Sequence, residues 1–236
     1  MPKQFYRFLR ISILLLLVLI GTKGNTDFRN QSTVYQSIPS SDYENLYDQL
    51  LLSDIGLKRI VFEKAISGWT LLNKNKQLLR SGLLTIIDFS QSSNAKRLYI
   101  IDVEKAIVVF NTYVAHGRNS GNEYAVSFAN KLNSFKSSLG FYSTAETYKG
   151  AHGLSMRLKG LEKGINDGAE SRGIVMHGAS YVSATFIKNC GRLGRSQGCP
   201  AVPEELCQPI INYIKEGSCV YMYYPDSKYS KLSAFG

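Results

Sequence analysis

The stretch "LLTIIDFSQSSNAKRLYIIDVEKAIVVFNTYV", residues 83–114, sets the fold class. It holds three short runs, 83–89, 97–103 and 106–114, rich in β-branched and aromatic residues and separated by Ser, Asn and charged residues. Runs of that length and composition, bounded by turn formers, read as β-strands. The series continues with "EYAVSFAN" (123–130), "LGFYSTAETY" (139–148), "HGLSMRLKG" (152–160) and "GIVMHGA" (173–179). "SATFIKN" (183–189) and "PEELCQPIINYIKEG" (203–217) read as helices, the second with Pro203 in its first turn and Gly217 as its stop. "CVYMYY" (219–224) is the last strand. Many strands in succession with few helices imply a mainly β domain, a sandwich or barrel, over residues 81–225. Residues 226–236 read as a C-terminal tail.

Upstream of the strands the pattern is helical. Ser41 and Glu44 make a capping box ahead of "NLYDQLLL", and Gly56 breaks that helix. A second helix carries Leu57, Ile60, Val61, Ala65 and Trp69 as an apolar stripe at helical spacing. Trp69 reads as a core anchor of this pair. Residues 25–80 are thus a polar tether followed by a helical N-terminal extension.

The N-terminus has a different character. "MPKQFYRFLR" carries Lys3, Arg7 and Arg10 and no acid, and Ile11 to Gly21 is an apolar run. Eleven residues are too few for a membrane-spanning helix, which takes about 20. A basic start, a short apolar stretch and the small residues near Gly24 read as a secretory signal over residues 1–24, with an uncleaved anchor as the alternative. Contact with a membrane is expected only through this segment. The expected location is therefore exported, in the periplasm or cell envelope.

The chain carries 28 basic and 18 acidic residues, a net charge of +10. Without the four basic residues of 1–24 the balance is 24 against 18, or +6. That suits an anionic polymer such as a cell wall. Nucleic acid is a poor partner for an exported chain with no Lys/Arg block. Cys190, Cys199, Cys207 and Cys219 match no zinc spacing and make no disulfide framework, although two could pair in an oxidising compartment.

One cysteine is set apart. Cys207 falls in a helical pattern and Cys219 heads an apolar strand, both ordinary places for a small buried hydrophobe. Cys199 stands in "GRLGRSQGCPAV" between Gly198 and Pro200, with Ser196 before them. Such a tight turn can present the sulfur and its own N–H to one carbonyl, as a nucleophile with an oxyanion hole requires. A free thiol is mostly protonated at neutral pH and needs a base. His177, ending the strand "GIVMHG" with Gly178 beside it, is the candidate. His116 in "AHGRNSG" and His152 in "KGAHGLS" sit beside glycines at loop ends and are candidate pocket residues.

"MHGASYVS" and "GRLGRSQGCPAVP" together resemble the histidine and the Ser/Thr-His-Gly-Cys signature of the murein L,D-transpeptidase catalytic domain family, which has the YkuD-like fold. The likeness is to its exported branch. It extends to "NTYVAHGRNSGNEYAVSFAN", "SSLGFYSTAETYKGAHGLSMRLKGLEKGIND" and "GSCVYMYY", and covers roughly Leu57 to Tyr224. The resemblance implies a cysteine transferase acting on peptidoglycan stem peptides with no cofactor and no metal. It maps Cys199 onto the nucleophile, His177 onto the base, and Ser196 and Gly198 onto their places in the signature. Gln197 stands where many members have histidine, so an orienting role there passes to Ser196 or a backbone carbonyl. Pro200 and Ala201 stand where many have an arginine two places past the cysteine. Arg192 and Arg195, with Gly178, His116 and His152, are the expected substrate contacts. The outcome is a cross-link if an amine resolves the thioester, and L,D-carboxypeptidase activity if water does. An inert peptidoglycan-binding domain is the alternative of another class. A zinc peptidase using the three histidines and Cys199 is disfavoured because no close ligand pair exists.

Overall fold

The computed structural model describes residues 40–235. The signal expected at 1–24, most of the tether and the Ser41/Glu44 capping contact lie outside the described residues. Among the described residues no helix is long and apolar enough to cross a membrane.

Two helices lead, α1 (Ser40–Gln49) and α2 (Arg59–Lys74). The strands are β1 (Leu83–Asp88), β2 (Leu98–Asp102), β3 (Ile107–Thr112), β4 (Gly140–Gly150), β5 (Gly153–Gly160), β6 (Val175–Gly178), β7 (Ala201–Val202) and β8 (Cys219–Tyr223). Helix α3 (Ala184–Cys190) follows β6, α4 (Glu204–Ile214) follows β7, and α5 (Ser227–Leu232) follows β8. All eight strands form one sheet in the order β3-β2-β1-β8-β4-β5-β6-β7. The two ends of that order meet just beyond β3, where Ala115 N–H donates to the Ala201 carbonyl of β7 at 2.8 Å. The sheet is thereby nearly closed, which leaves little open edge.

Burial explains the order. Every residue of β1, β2 and β8 is buried, whereas β3, the first strand of the order, is half exposed. Strands covered on both faces read as continuous apolar runs, and "LLTIID", "LYIID" and "CVYMY" are such runs. β1 and β8 pair in parallel, Leu84 opposite Cys219, and β6 pairs in parallel with β7. The other neighbours are antiparallel. Helix α2 packs its buried residues Val61, Phe62, Ala65, Ile66, Trp69 and Leu72 against β1 and β8. It comes so close to the sheet that a Cβ on Gly68 would fall 2.1 Å from Phe141 Cζ, so only glycine fits. Helices α1, α2, α4 and α5 share one hydrophobic core with the sheet, whereas Ile187 of α3 packs on a smaller cluster around Val182 and Leu193.

Four local expectations are corrected. "EYAVSFAN" is no strand: its amides bond to nearby loop carbonyls, Val126 and Ser127 to Ser120 and Ala129 to Ser137, and Val126 is 63% exposed. β-Propensity without a partner edge does not make a strand. Ile60 is 52% exposed, because the stripe that meets the sheet runs through positions four apart from Leu57. Helix α1 ends at Gln49, before Gly56, and the turn 50–56 closes through Leu57 N–H to the Leu52 carbonyl at 3.0 Å. Pro203 is the N-cap of α4 rather than a first-turn residue, because Ala201 and Val202 are taken by β7. In the stretch read as a tail, α5 buries Tyr229.

Candidate active site

The short strands β6 and β7 run side by side, His177 opposite Ala201. This places the residue two before Ala201, Cys199, near the mouth of the strand that carries His177.

The turn before Cys199 is fixed from several directions. Ser196 is buried, and its Oγ donates to the Cys199 carbonyl at 2.6 Å while accepting the Gly198 N–H at 3.0 Å. Ser196 N–H donates to the His116 carbonyl at 2.9 Å, and the Ser196 carbonyl accepts Arg118 N–H at 2.8 Å. Ser137 Oγ donates to the Gly198 carbonyl at 3.0 Å. Gly198 has φ +126°, and a Cβ there would lie 2.9 Å from the Lys136 carbonyl oxygen. Both facts exclude any other residue.

The sulfur of Cys199 accepts the Val175 N–H at 3.5 Å and the thiol donates to the Gly173 carbonyl at 3.7 Å. Burial pushes this thiol up from its ordinary value, while the Val175 N–H, the Arg172 charge and its own N–H draw it back. His177 is buried, and its Nδ1 lies 2.9 Å from the Gly178 carbonyl. A carbonyl only accepts, so Nδ1 carries the hydrogen and Nε2 keeps its lone pair. Burial holds the His177 imidazole below its ordinary value; the Gly178 contact opposes this and the neighbouring His152 reinforces it. Burial thus favours the uncharged form of both groups.

A cavity of about 480 Å³ opens over both. Its wall carries Arg118, Arg172 and Arg195 and, among the described residues, no carboxylate. Tyr148 and Tyr181 add phenols, and His152 lies at the rim, exposed. Such a cavity suits an anionic ligand held against a nucleophile.

The structure brings Cys199, His177, Ser196, Arg195 and His152 to the cavity, with Gly198 buried in the turn before Cys199, against the Lys136 carbonyl. It does not bring the other three there. Arg192 turns its Nη1 to the Leu193 carbonyl at 2.7 Å and lies off the lining, because the loop folds it back on itself. His116 is fully buried behind the turn, its Nδ1 accepting from Arg97 Nη2 at 2.8 Å. Burial and the Arg97 charge push it down to about 3. Gly178 is buried under α4, where a Cβ would stand 3.0 Å from Cys207 Cβ, so it orients His177 through its carbonyl instead. Gln197 lines the cavity and is exposed. All four cysteines are free, Cys207 and Cys219 buried and Cys190 exposed.

The sequence reading missed Arg118 and Arg172. Arg118 directly follows His116-Gly117, already singled out, and could have been found there. Arg172 lies three residues before Val175 and twenty-seven before Cys199, and no local motif marks it.

Several solved structures share features with this chain. An L,D-transpeptidase from Mycobacterium smegmatis aligns at 10% identity and a TM-score of 0.39, over 61% of this chain and 59% of that one. The helical cell shape determining protein Pgp2 from Campylobacter jejuni aligns at 14% identity and a TM-score of 0.41, over 61% and 48%. L,D-transpeptidase 3 from Mycobacterium tuberculosis, in complex with a faropenem-derived adduct, aligns at 13% identity and a TM-score of 0.38, over 61% and 60%. This chain thus spans about half to three-fifths of the length of those proteins. No curated protein matches by sequence. The family model described as the L,D-transpeptidase catalytic domain matches residues 54–223, most of the described residues. The chain belongs to the L,D-transpeptidase catalytic domain family.

Proposed function

We propose that this chain is an exported, cysteine-dependent L,D-transpeptidase of peptidoglycan stem peptides, with residues 1–24 acting as signal or anchor. The observation that carries the reading is the pairing in one cavity of Cys199 with a His177 whose Nδ1–H is committed to a backbone carbonyl. That arrangement leaves Nε2 as the proton acceptor for the thiol.

The proposed steps are these. His177 Nε2 takes the thiol proton as the Cys199 sulfur attacks the carbonyl that joins an L-centre to a terminal D-residue. The S–C bond forms, the developing oxyanion is met by the Cys199 N–H, and the C–N bond breaks. His177 returns the proton to the departing amine, and a D-amino acid leaves. An amine of a second stem then attacks the thioester, His177 accepts its proton, and the sulfur regains one. The new peptide bond is the cross-link. The arginine-rich wall supports this substrate class, because the leaving residue carries a free carboxylate that a site without acids accommodates.

The test is incubation of the full chain with purified disaccharide-tetrapeptide and mass analysis of the products. Cross-linked dimer with release of the terminal D-amino acid is the expected result. Tripeptide alone would replace the transfer step by hydrolysis. No product from a protein whose Cys199 reacts with electrophiles would remove the stem peptide as substrate.

A further inference from the structure

Arg172 is the cation of the site that sequence order does not reveal, and its surroundings differ from those of the other two arginines. Its Nη1 donates to Ser138 Oγ at 3.0 Å, and its Nη2 donates to Ser134 Oγ at 3.4 Å and to the Lys136 carbonyl. These acceptors are all neutral. Among the described residues no carboxylate pairs with Arg172, so its charge is not cancelled locally. It is half-buried, and its Nη2 would be 3.4 Å from a Cβ on Gly198, the residue before the nucleophile. The guanidinium is thus locked against the Gly198–Cys199 turn by three hydrogen bonds from the 134–138 loop.

The alternatives for stabilising charge on the sulfur are weaker. Burial disfavours the cationic form of His177, and in the proposed reaction it gains its charge from the sulfur's own proton. Arg195 spends its Nη1 on the carbonyls of Arg118 and Gly121 and on Asn122 Oδ1, at 3.1, 3.0 and 2.9 Å. Arg118 lies over the Phe135 ring, 4.1 Å from its centroid, and is exposed to solvent, where its field is screened. His152 is exposed at the rim. The remaining titratable groups of the wall are the phenols of Tyr148 and Tyr181. Lys136 offers its carbonyl to Arg172 and turns its ammonium to Ser127 Oγ at 2.6 Å. A fixed, partly desolvated charge beside the turn acts far more strongly than a solvated one.

We propose that Arg172 is a charge-stabilising residue for the Cys199 sulfur, holding the negative charge that forms when His177 takes the thiol proton. The arginine is pre-set for this by the Ser134, Lys136 and Ser138 contacts, so no side-chain reorganisation is needed during reaction. Removing it leaves a part-buried sulfur whose anion has only the Val175 N–H and its own N–H for support.

The experiment reads the thiol directly and needs no stem peptide. Full-length protein is alkylated with iodoacetamide across a pH series, and the rate is followed on the Cys199 peptide, with exposed Cys190 as internal standard. Alkylation measures the thiolate, so the inflection reports how easily the proton leaves. In Arg172→Met and Arg172→Gln the inflection should move up by about one unit, giving ~10-fold slower labelling at neutral pH, a factor of ten per unit. Arg172→Lys should stay near the unaltered protein, because it keeps the charge. An inflection that stays put in folded Arg172→Gln, or rises as far in Arg172→Lys, overturns the proposal. If the neutral variants do not fold, a protein that keeps Arg172 still decides. With Arg118 and Arg195 both replaced by Ala and Arg172 kept, anionic iodoacetate, relative to iodoacetamide, should still favour Cys199 over Cys190, and the absence of that preference overturns the proposal. The proposal rests on the cysteine chemistry above, yet the two fail separately. A protein that shows these thiol effects but makes no product from tetrapeptide keeps Arg172 and loses the substrate.

Discussion

His152 lies on the face of His177, ring centroids 4.5 Å apart and planes inclined by 24°. His177 is buried on β6, while His152 is exposed at the turn between β4 and β5. The stack closes one side of the imidazole to water and brings a second titratable ring against it. Both effects disfavour the cationic form of His177, burial being the larger.

The stack has a kinetic consequence. A base held below its ordinary value is ready at lower pH, so the acidic limb of kcat/KM should fall below the normal histidine range. In His152→Ala the burial and the neighbouring charge both diminish, and the limb should move to higher pH. His177→Ala should cost on the order of 100-fold or more and remove the limb. A pH–rate profile of acylation for the three proteins checks this. An unmoved limb in His152→Ala means the stack does not tune the base.

Cys199→Ala should abolish turnover while leaving the fold intact, since the side chain is only part-buried at the cavity wall. Cys190→Ser should turn over normally. Cys207 and Cys219 are buried in the core, so their substitution should register in thermal stability rather than in chemistry. A carbapenem should add its mass to the intact protein but not to Cys199→Ala. An adduct that survives in Cys199→Ala would place the nucleophile at another residue.

Ser196→Ala separates turn geometry from chemistry. The substitution leaves the Gly198 N–H and one bond to the Cys199 carbonyl unmet in a buried turn, which costs about 1–3 kcal/mol of stability. A shift of the sulfur by a fraction of an ångström should lower kcat by up to about 10²-fold, with KM little changed. Ser196→Thr, which keeps the hydroxyl, should recover part of the rate. Denaturant melts and steady-state kinetics on the same samples distinguish the two losses.

How far the sequence reached depends on whether a contact is local. The runs at 83–88, 98–102 and 219–223 declare themselves because strands buried on both faces are apolar throughout. "EYAVSFAN" mixes Val126 and the aromatics Tyr124 and Phe128 with Glu123, Ser127 and Asn130, and the sheet's pairing order leaves it out. The Ser196–Cys199 turn is legible for a similar reason: its glycine, serine and cysteine are neighbours in the chain. Arg172 is not, since it meets the turn across twenty-seven residues and is held by a loop at 134–138 that has no pattern of its own. The loop around Arg192 and Arg195 read as one basic patch, but the chain turns between them, and the two side chains part.

In the proposed reaction the leaving D-residue carries a carboxylate, and a carboxylate left unpaired in a closed site is costly. Arg192 is off the cavity and bonded to the neighbouring Leu193 carbonyl, so Arg192→Ala should turn over stem peptide normally. Arg118 and Arg195 are on the wall, and Arg118 is the more available, with the Phe135 face as a platform that leaves its donors outward. A charge-assisted hydrogen bond to a carboxylate contributes about 1.5–3 kcal/mol, so Arg118→Ala should lower kcat/KM roughly 10- to 150-fold. Arg195→Ala should cost activity too, partly by releasing the 118–122 loop that its Nη1 ties down. These losses should appear with tetrapeptide and largely vanish with iodoacetamide, which needs only the thiol. Full turnover of tetrapeptide by both Arg118→Ala and Arg195→Ala would mean that the carboxylate is bound away from this wall.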